Sequence, residues 1–317
     1  LMKNKILVVG GAGYIGGYLT DCLESSEFDV TVYDNLLFEE RYMKEINFVY
    51  GDIRDKRKLS SLLKKQDVVV WLAGLVGDGA CAVNPPLTRE LNVECVKWLV
   101  DNFSGKIVFP STCSVYGINN ELITEDATPN PLSLYAATKL EAEQYILNNA
   151  ENPIVFRLGT LYGIGDLHSR VRLDLVVNIL SMRAARGDPL TVFGGKQWRP
   201  LLHVRDAAEA FIFSIENNFS GLYNLSRENY QIKDLAHEIA KIVPSTEIQY
   251  VDMKFEDLRN YKVNNSRILD TGWESKHSLD YGINQIYQII KGKRLKNVND
   301  MVYSNAKYVS WLESGDK

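Results

Sequence analysis

Tyr135 and Lys139, in Tyr135-Ala136-Ala137-Thr138-Lys139, stand four residues apart at the start of a predicted helix, so the phenol and the ammonium share one helical face. A phenol with an ordinary pKa of about 10 is a poor base at neutral pH, but an adjacent cation favours its phenolate. Oxidising a secondary alcohol needs a base for the hydroxyl proton as hydride leaves the carbon, and a tuned tyrosine supplies one. That spacing also recurs by chance on amphipathic surface helices. What gives it weight is Val108-Phe109-Pro110-Ser111-Thr112-Cys113-Ser114-Val115-Tyr116-Gly117, which ends a predicted strand in a cluster of hydroxyls. The carboxyl edge of an open α/β sheet is where its ligands bind.

A second constellation lies at the start of the chain. Gly10-Gly11-Ala12-Gly13-Tyr14-Ile15-Gly16 follows a predicted strand and opens a predicted helix, so backbone amides at a helix N-terminus can face a pyrophosphate that side chains would otherwise block. The plain alternative is a tight turn. Asp34, 18 residues after Gly16 at the end of the second predicted strand, favours the first reading. A carboxylate there accepts hydrogen bonds from an adenosine ribose diol and repels a 2′-phosphate, so NAD is expected rather than NADP. Asn35 beside it, Asp52 and Ile53 after the third strand, and Leu72-Ala73-Gly74 after the fourth are expected around the same cofactor, although each could serve packing alone.

These residues must be positioned by alternating elements. Short β-branched runs at Lys5 to Val9, Val30 to Tyr33, Phe48 to Tyr50, Val68 to Leu72, Lys106 to Phe109 and Ile154 to Leu158 alternate with amphipathic stretches at Tyr14 to Leu23, Asp55 to Leu63, Thr88 to Phe103 and Leu134 to Asn148. That pattern builds βαβ units, and six parallel strands with helices on both faces are expected. Beyond residue 160 the alternation lapses into shorter elements punctuated by glycine, with helices predicted at Val171 to Arg186, Val204 to Asn217, Lys233 to Ile242 and Leu279 to Lys291. The expected fold is a Rossmann-type doubly wound parallel sheet over residues 1–162, with a smaller α/β lobe over 163–317 for the substrate.

Composition narrows the partners. The 317 residues are 45% hydrophobic and 24% charged, ordinary for a globular protein, with a formal net charge of -4. No global positive field is available to hold nucleic acid. No stretch approaches the roughly 20 apolar residues that cross a bilayer, and Lys3-Asn4-Lys5-Ile6 leads into a strand without a signal-type apolar region, so a cytoplasmic protein is expected. Cys22, Cys81, Cys95 and Cys113 lack paired spacing and suit buried thiols better than disulfides or zinc ligands; no metal is expected.

Taken together, the glycine loop, Asp34, Ser111 to Gly117, Tyr135/Lys139 and Arg157-Leu158-Gly159-Thr160-Leu161-Tyr162-Gly163 resemble the extended short-chain dehydrogenase/reductase family of nucleotide-sugar epimerases, dehydratases and reductases. The resemblance covers nearly the whole chain. It implies an NAD-dependent enzyme with Thr112, Tyr135 and Lys139 as its catalytic residues, Tyr135 and Lys139 also touching the cofactor along with Ser111, and Asn92 as a structural asparagine. It implies further that Arg199, in Trp198-Arg199-Pro200, grips the nucleotide pyrophosphate, that Arg259 is a second phosphate contact or a surface ion pair, and that His203 and Asp206 fix the intervening loop. Arg170, Arg172 and Asp174 stand where relatives often use an asparagine, which leaves base and sugar open; Arg172 is expected to touch the substrate. Family dehydratases carry an Asp-Glu pair after the catalytic threonine, and Cys113-Ser114 here disfavours loss of water.

Leu75-Val76-Gly77, Asn84-Pro85 and Arg172-Leu173-Asp174-Leu175 look most like a branch acting at carbon 4 of nucleotide-linked sugars, including GDP-heptose 4-dehydrogenases. The expected activity is therefore a nucleotide-sugar 4-epimerase, with a net 4-dehydrogenase or 4-ketoreductase as the alternative. From another class, a dinucleotide-sensing protein without catalysis could use the same fold. The resemblance also implies a homodimer packed through Thr88 to Phe103 and Leu134 to Asn148.

Overall fold

The computed structural model describes residues 4–217, 219–251 and 259–315. The six β-branched runs become the strands Lys5–Val9, Asp29–Asp34, Asn47–Tyr50, Val68–Trp71, Lys106–Thr112 and Ile154–Leu158. Ile6 to Val9, Val68 to Trp71 and Ile154 to Leu158 are buried without interruption, because helices cover both faces of the sheet and neither face needs polar residues. The strands pair in parallel. From Lys5–Val9 the chain first builds outward through Asp29–Asp34 to Asn47–Tyr50, then returns to add Val68–Trp71 on the other side. That reversal opens a crevice at the carboxyl ends of the two central strands, the place where ligands of such sheets bind.

The sheet has seven strands, not the six expected. Gly221–Leu225 adds to the outer edge, paired in parallel with Ile154–Leu158 from Gly221↔Ile154 to Leu225↔Leu158. It arrives from the second half of the chain by way of the helix Val204–Glu216, whose Phe211 stacks on Phe156 with centroids 5.4 Å apart. The run escaped prediction because it is short and holds an asparagine. Asn224 is nonetheless fully buried: its amide group accepts from Tyr116 Oη at 2.6 Å and donates to the carbonyls of Ile123 and Asn264.

Two helices depart from their expected bounds. The stretch expected from Thr88 to Phe103 starts earlier, at Pro85–Arg89 under an Asn84 cap, widens to a π turn over Glu90–Glu94, and resumes as Cys95–Asn102. The wide turn seats Asn92, whose side chain accepts from Leu75 N at 2.8 Å and donates to Leu75 O at 2.9 Å. The helix expected from Val171 starts only at Val176, because Arg172 to Asp174 run across the cleft wall without regular structure. A further helix, Asn305–Ser314, was not expected at all and packs on Asp78–Val83.

Beyond the large sheet, Thr160–Tyr162, Trp198–His203 and Glu228–Gln231 form a three-stranded sheet, and Leu190–Phe193 pairs with Ile248–Val251. Val177, Leu190, Leu235, Ile239 and Ile283 make a separate core there. Asn260–Val263 pairs with Ile118–Ile123, a ladder that brings Arg259 back to the first lobe. Its neighbours Asp257 and Leu258 lie outside the described residues. No helix among the described residues is long and apolar enough to cross a membrane.

Candidate active site

One cleft of about 1050 Å³ runs between the carboxyl ends of the central strands and the second lobe, and every residue named above as a catalytic, cofactor or substrate contact lines it. The volume exceeds the usual range for a single small ligand, so cofactor and substrate can occupy it together.

At one end the helix Tyr14–Glu24 begins at Gly13 with no side chain capping it. Its first-turn amides, of Tyr14, Ile15 and Gly16, thus lack intrahelical partners and border the cleft, an arrangement suited to phosphate oxygens. Gly10 has φ +84°, and a Cβ on it would lie 2.6 Å from the Ala73 nitrogen; only glycine passes there. A Cβ at Gly13 would meet nothing closer than the Gly10 carbonyl at 3.4 Å, so the loop's outer side is open to a ligand. Asp34 is fixed by the amides of Ala12 and Leu36, at 3.0 and 2.7 Å, while burial pushes its carboxyl up. These features fit an adenosine diphosphate carrying a free ribose diol.

Three expected cofactor contacts reach the cleft with their polar heads engaged elsewhere. Tyr14 Oη donates to the Gly163 carbonyl at 2.6 Å, tying the glycine loop to the second lobe, so only its backbone faces a cofactor. Asp52 is gripped by Arg54 through bonds of 2.9 and 2.8 Å. Ser111 Oγ donates to Glu143 Oε2 at 2.5 Å.

The reactive cluster is assembled from two elements. Thr112 closes the strand Lys106–Thr112 and accepts from Ser114 N at 3.1 Å. Ser133 caps the helix Leu134–Asn149 by accepting from Ala136 N at 3.1 Å, which starts it so that Tyr135 falls in its first turn and Lys139 in its second. Thr112 and Tyr135 line the cleft together, and the Thr112 hydroxyl acts on the ionisation of the phenol. Burial holds the phenol well above its usual range; the Thr112 hydroxyl and the Arg172 cation oppose that rise, whereas Cys81 and Asp78 add to it. Lys139, expected to favour the phenolate, lines the same cleft but is itself buried. Burial pushes the Lys139 ammonium down to about 7, with its Nζ 4.0 Å from the centre of the Phe109 ring.

On the opposite wall Arg172 binds Asp174 with two hydrogen bonds of 2.9 and 3.0 Å. Arg199 donates to the backbone carbonyls of Trp198 and Arg259, at 2.8 and 2.5 Å. Arg259 Nη1 lies 2.8 Å from Asp78 Oδ2, and Asp78 Oδ1 accepts from Ser133 Oγ at 2.7 Å, so the cleft mouth is bridged from one lobe to the other. His203, pushed down to about 3 by burial, lies outside the cleft, bonded to Gln285 at 2.8 Å and stacked on His277. Its Nδ1 accepts from the Arg205 amide at 3.1 Å, at the start of the helix Val204–Glu216. Cys113 donates to the Arg157 carbonyl, and burial pushes its thiol up, as befits a packed side chain.

Sequence reasoning missed Glu143, one turn beyond Lys139 on the same face; the 135/139/143 spacing was the available signal. It also missed the helix Asn305–Ser314. Asn305 accepts from Arg170 and donates to the Val76 carbonyl at 2.8 Å, and Val309 and Leu312 line the cleft.

The family model for the NAD dependent epimerase/dehydratase family matches residues 6–226. The chain is 28% identical to the UDP-N-acetyl-alpha-D-glucosaminuronate decarboxylase of Bacillus cytotoxicus, over 82% of this chain and 89% of that protein. It is 27% identical to the UDP-glucose 4-epimerase of Rhizobium meliloti, over 88% and 94% respectively. Among solved structures it superposes on the Thermus thermophilus UDP-glucose 4-epimerase complex with NAD with a TM-score of 0.77 at 26% identity, covering 91% of this chain and 99% of that one. With its glycine loop, parallel sheet and reactive cluster in one cleft, this chain is an enzyme that belongs to the NAD-dependent epimerase/dehydratase family.

Proposed function

We propose that this enzyme oxidises and re-reduces carbon 4 of a nucleotide-linked sugar, giving the 4-epimer. One observation carries the reading: the Tyr135 phenol and Thr112 sit in a single cleft between the uncapped helix at Gly13 and Arg172, Arg199 and Arg259. NAD, when bound, supplies the acceptor that takes the carbon 4 hydride and gives it back.

The chain's own residues do the rest. The first-turn amides at Tyr14 to Gly16 hold the cofactor's pyrophosphate, and Asp34 accepts from its ribose hydroxyls, with Asn35, Ile53 and Leu72 to Gly74 as the walls. Arg199 and Arg259 hold the substrate's diphosphate, since a planar guanidinium can donate two parallel bonds to it. Tyr135, as phenolate, takes the proton of the 4-hydroxyl. Thr112 donates to the same oxygen, and the cations Lys139 and Arg172 offset the charge on the phenolate. When the 4-keto sugar turns and recovers hydride on its other face, Tyr135 returns the proton. Residues 163–317 supply the substrate side, apart from Val204 to Leu225, which complete the large sheet. The Cys113-Ser114 pair offers no carboxylate beside Thr112 to eliminate water.

The test is a nucleotide sugar deuterated at carbon 4. Inverted product that keeps its label is the expected result. Steady growth of reduced-cofactor absorbance with loss of label would make the enzyme a net 4-dehydrogenase, and no reaction with any nucleotide sugar would sink the reading.

Asp34 carries a further expectation. Asp34→Asn removes a charge that would repel a 2′-phosphate, and the ratio of NADP to NAD affinity should rise at least about tenfold, equivalent to ~1.4 kcal/mol. Titration with both dinucleotides measures it; an unchanged ratio would show that Asp34 does not face the ribose.

A further inference from the structure

Glu143 is 1% exposed, a setting in which a carboxylate must be paired and hydrogen-bonded to persist. It is bound from two strands at once. Ser111 Oγ, next to Thr112, donates to Oε2 at 2.5 Å; Arg157 Nε, from Ile154–Leu158, donates to both carboxylate oxygens at 3.1 Å, and Arg157 Nη2 adds a bond of 2.5 Å. Arg157 is itself anchored by Tyr116 Oη at 2.8 Å and the Glu125 carbonyl at 3.2 Å. Glu143 belongs to the helix Leu134–Asn149, and Tyr135, Lys139 and Glu143 follow one another at i, i+4 and i+8.

We propose that Glu143 is a positioning residue for the reaction: clamped by Ser111 and Arg157, it sets the helix bearing Tyr135 and Lys139 against Thr112 and keeps an anion one turn behind the Lys139 ammonium. This rests on the carbon 4 redox reading above. The packing around Lys139 shows why the anion matters. Tyr135 and Glu143 flank it on its own helix, Phe109 faces it from the strand Lys106–Thr112, and Cys81 faces it from Asp78–Val83. Burial disfavours the ammonium, and the groups opposing that are Cys81 and Glu143. Burial pushes the Cys81 thiol up to about 12, so it is uncharged at neutral pH and Glu143 is the counter-charge that operates there. Arg157, whose guanidinium lies 4.8 Å from the centre of the Tyr116 ring, is the cation that shares the Glu143 carboxylate.

Glu143→Gln tests this, since the amide keeps the shape, can still accept from Arg157 through its one oxygen and can donate to Ser111 Oγ through its NH2, but carries no charge. The ammonium must be protonated to support the phenolate, so activity falls as pH rises through the Lys139 pKa. Removing the anion lowers that pKa, and the alkaline limb of the kcat profile should begin about one pH unit lower, with KM nearly unchanged. Glu143→Asp should move the limb back toward wild type. Independently, pH-dependent labelling of Lys139 by a small amine reagent, read by mass spectrometry on the NAD-loaded protein, should show the same displacement. A uniformly lower kcat with an unmoved limb, or an unmoved labelling midpoint, overturns the proposal. If the wild type proves inactive on nucleotide sugars, the labelling midpoint still decides the electrostatic role of Glu143, while the carbon 4 reading falls by itself.

Discussion

A Tyr135→Phe variant should bind NAD as tightly as the wild type yet turn over a nucleotide sugar about 10²–10⁴-fold more slowly, the usual worth of a positioned acid–base group. The ring would remain packed beside Leu75, Cys81 and Val309, so the fold has little reason to respond. What disappears is the phenol oxygen that, as phenolate, would receive the substrate's proton. Steady-state rates together with a cofactor titration check both halves. A loss below about tenfold would mean that another group, or water, takes that proton.

Arg157→Met should destabilise the protein by about 3–5 kcal/mol, because removing one partner of a buried ion pair strands the other charge. Glu143 would keep only Ser111, and Tyr116 would lose both its 2.8 Å bond and the overlying guanidinium. Equilibrium unfolding in denaturant measures the loss as a lower midpoint at constant slope. A cost under about 1 kcal/mol would indicate that water enters and relieves the stranded carboxylate, and that the pair is no clamp.

The elements nearest the cofactor were legible because each has a strong local cause. Uninterrupted apolar runs such as Val68–Trp71 can only be strands covered on both faces, and the glycine loop announces its turn through residues such as Gly10, which alone tolerates the close approach to Ala73. The pair Tyr135/Lys139 was visible through helical spacing. What escaped depends on contacts distant in sequence. Gly221–Leu225 is a strand because Ile154–Leu158 offers it an open edge and because Glu125, Tyr116 and Ile123 satisfy Asn224. Arg172 to Asp174 leave the expected helix because Asp174 binds Arg172 and the Asn305 amide, 131 residues away. The sign of an electrostatic effect was equally hidden: spacing shows that Lys139 shares a face with Tyr135, but only the extent of burial shows that the ammonium itself is pressed toward neutrality.

The outermost strand of the large sheet sets a rule for how such an enzyme can be re-engineered or diversified. A chimaera joined near residue 162 would discard Gly221–Leu225 along with the donor's second half and bare the backbone of Ile154–Leu158, an apolar edge prone to pairing with other chains. The helix carrying Phe211 would leave with it, opening a hole over Phe156. New specificities are therefore expected to be gained by exchanging single cleft loops, whereas wholesale transplantation of the second half must carry a matching strand and helix.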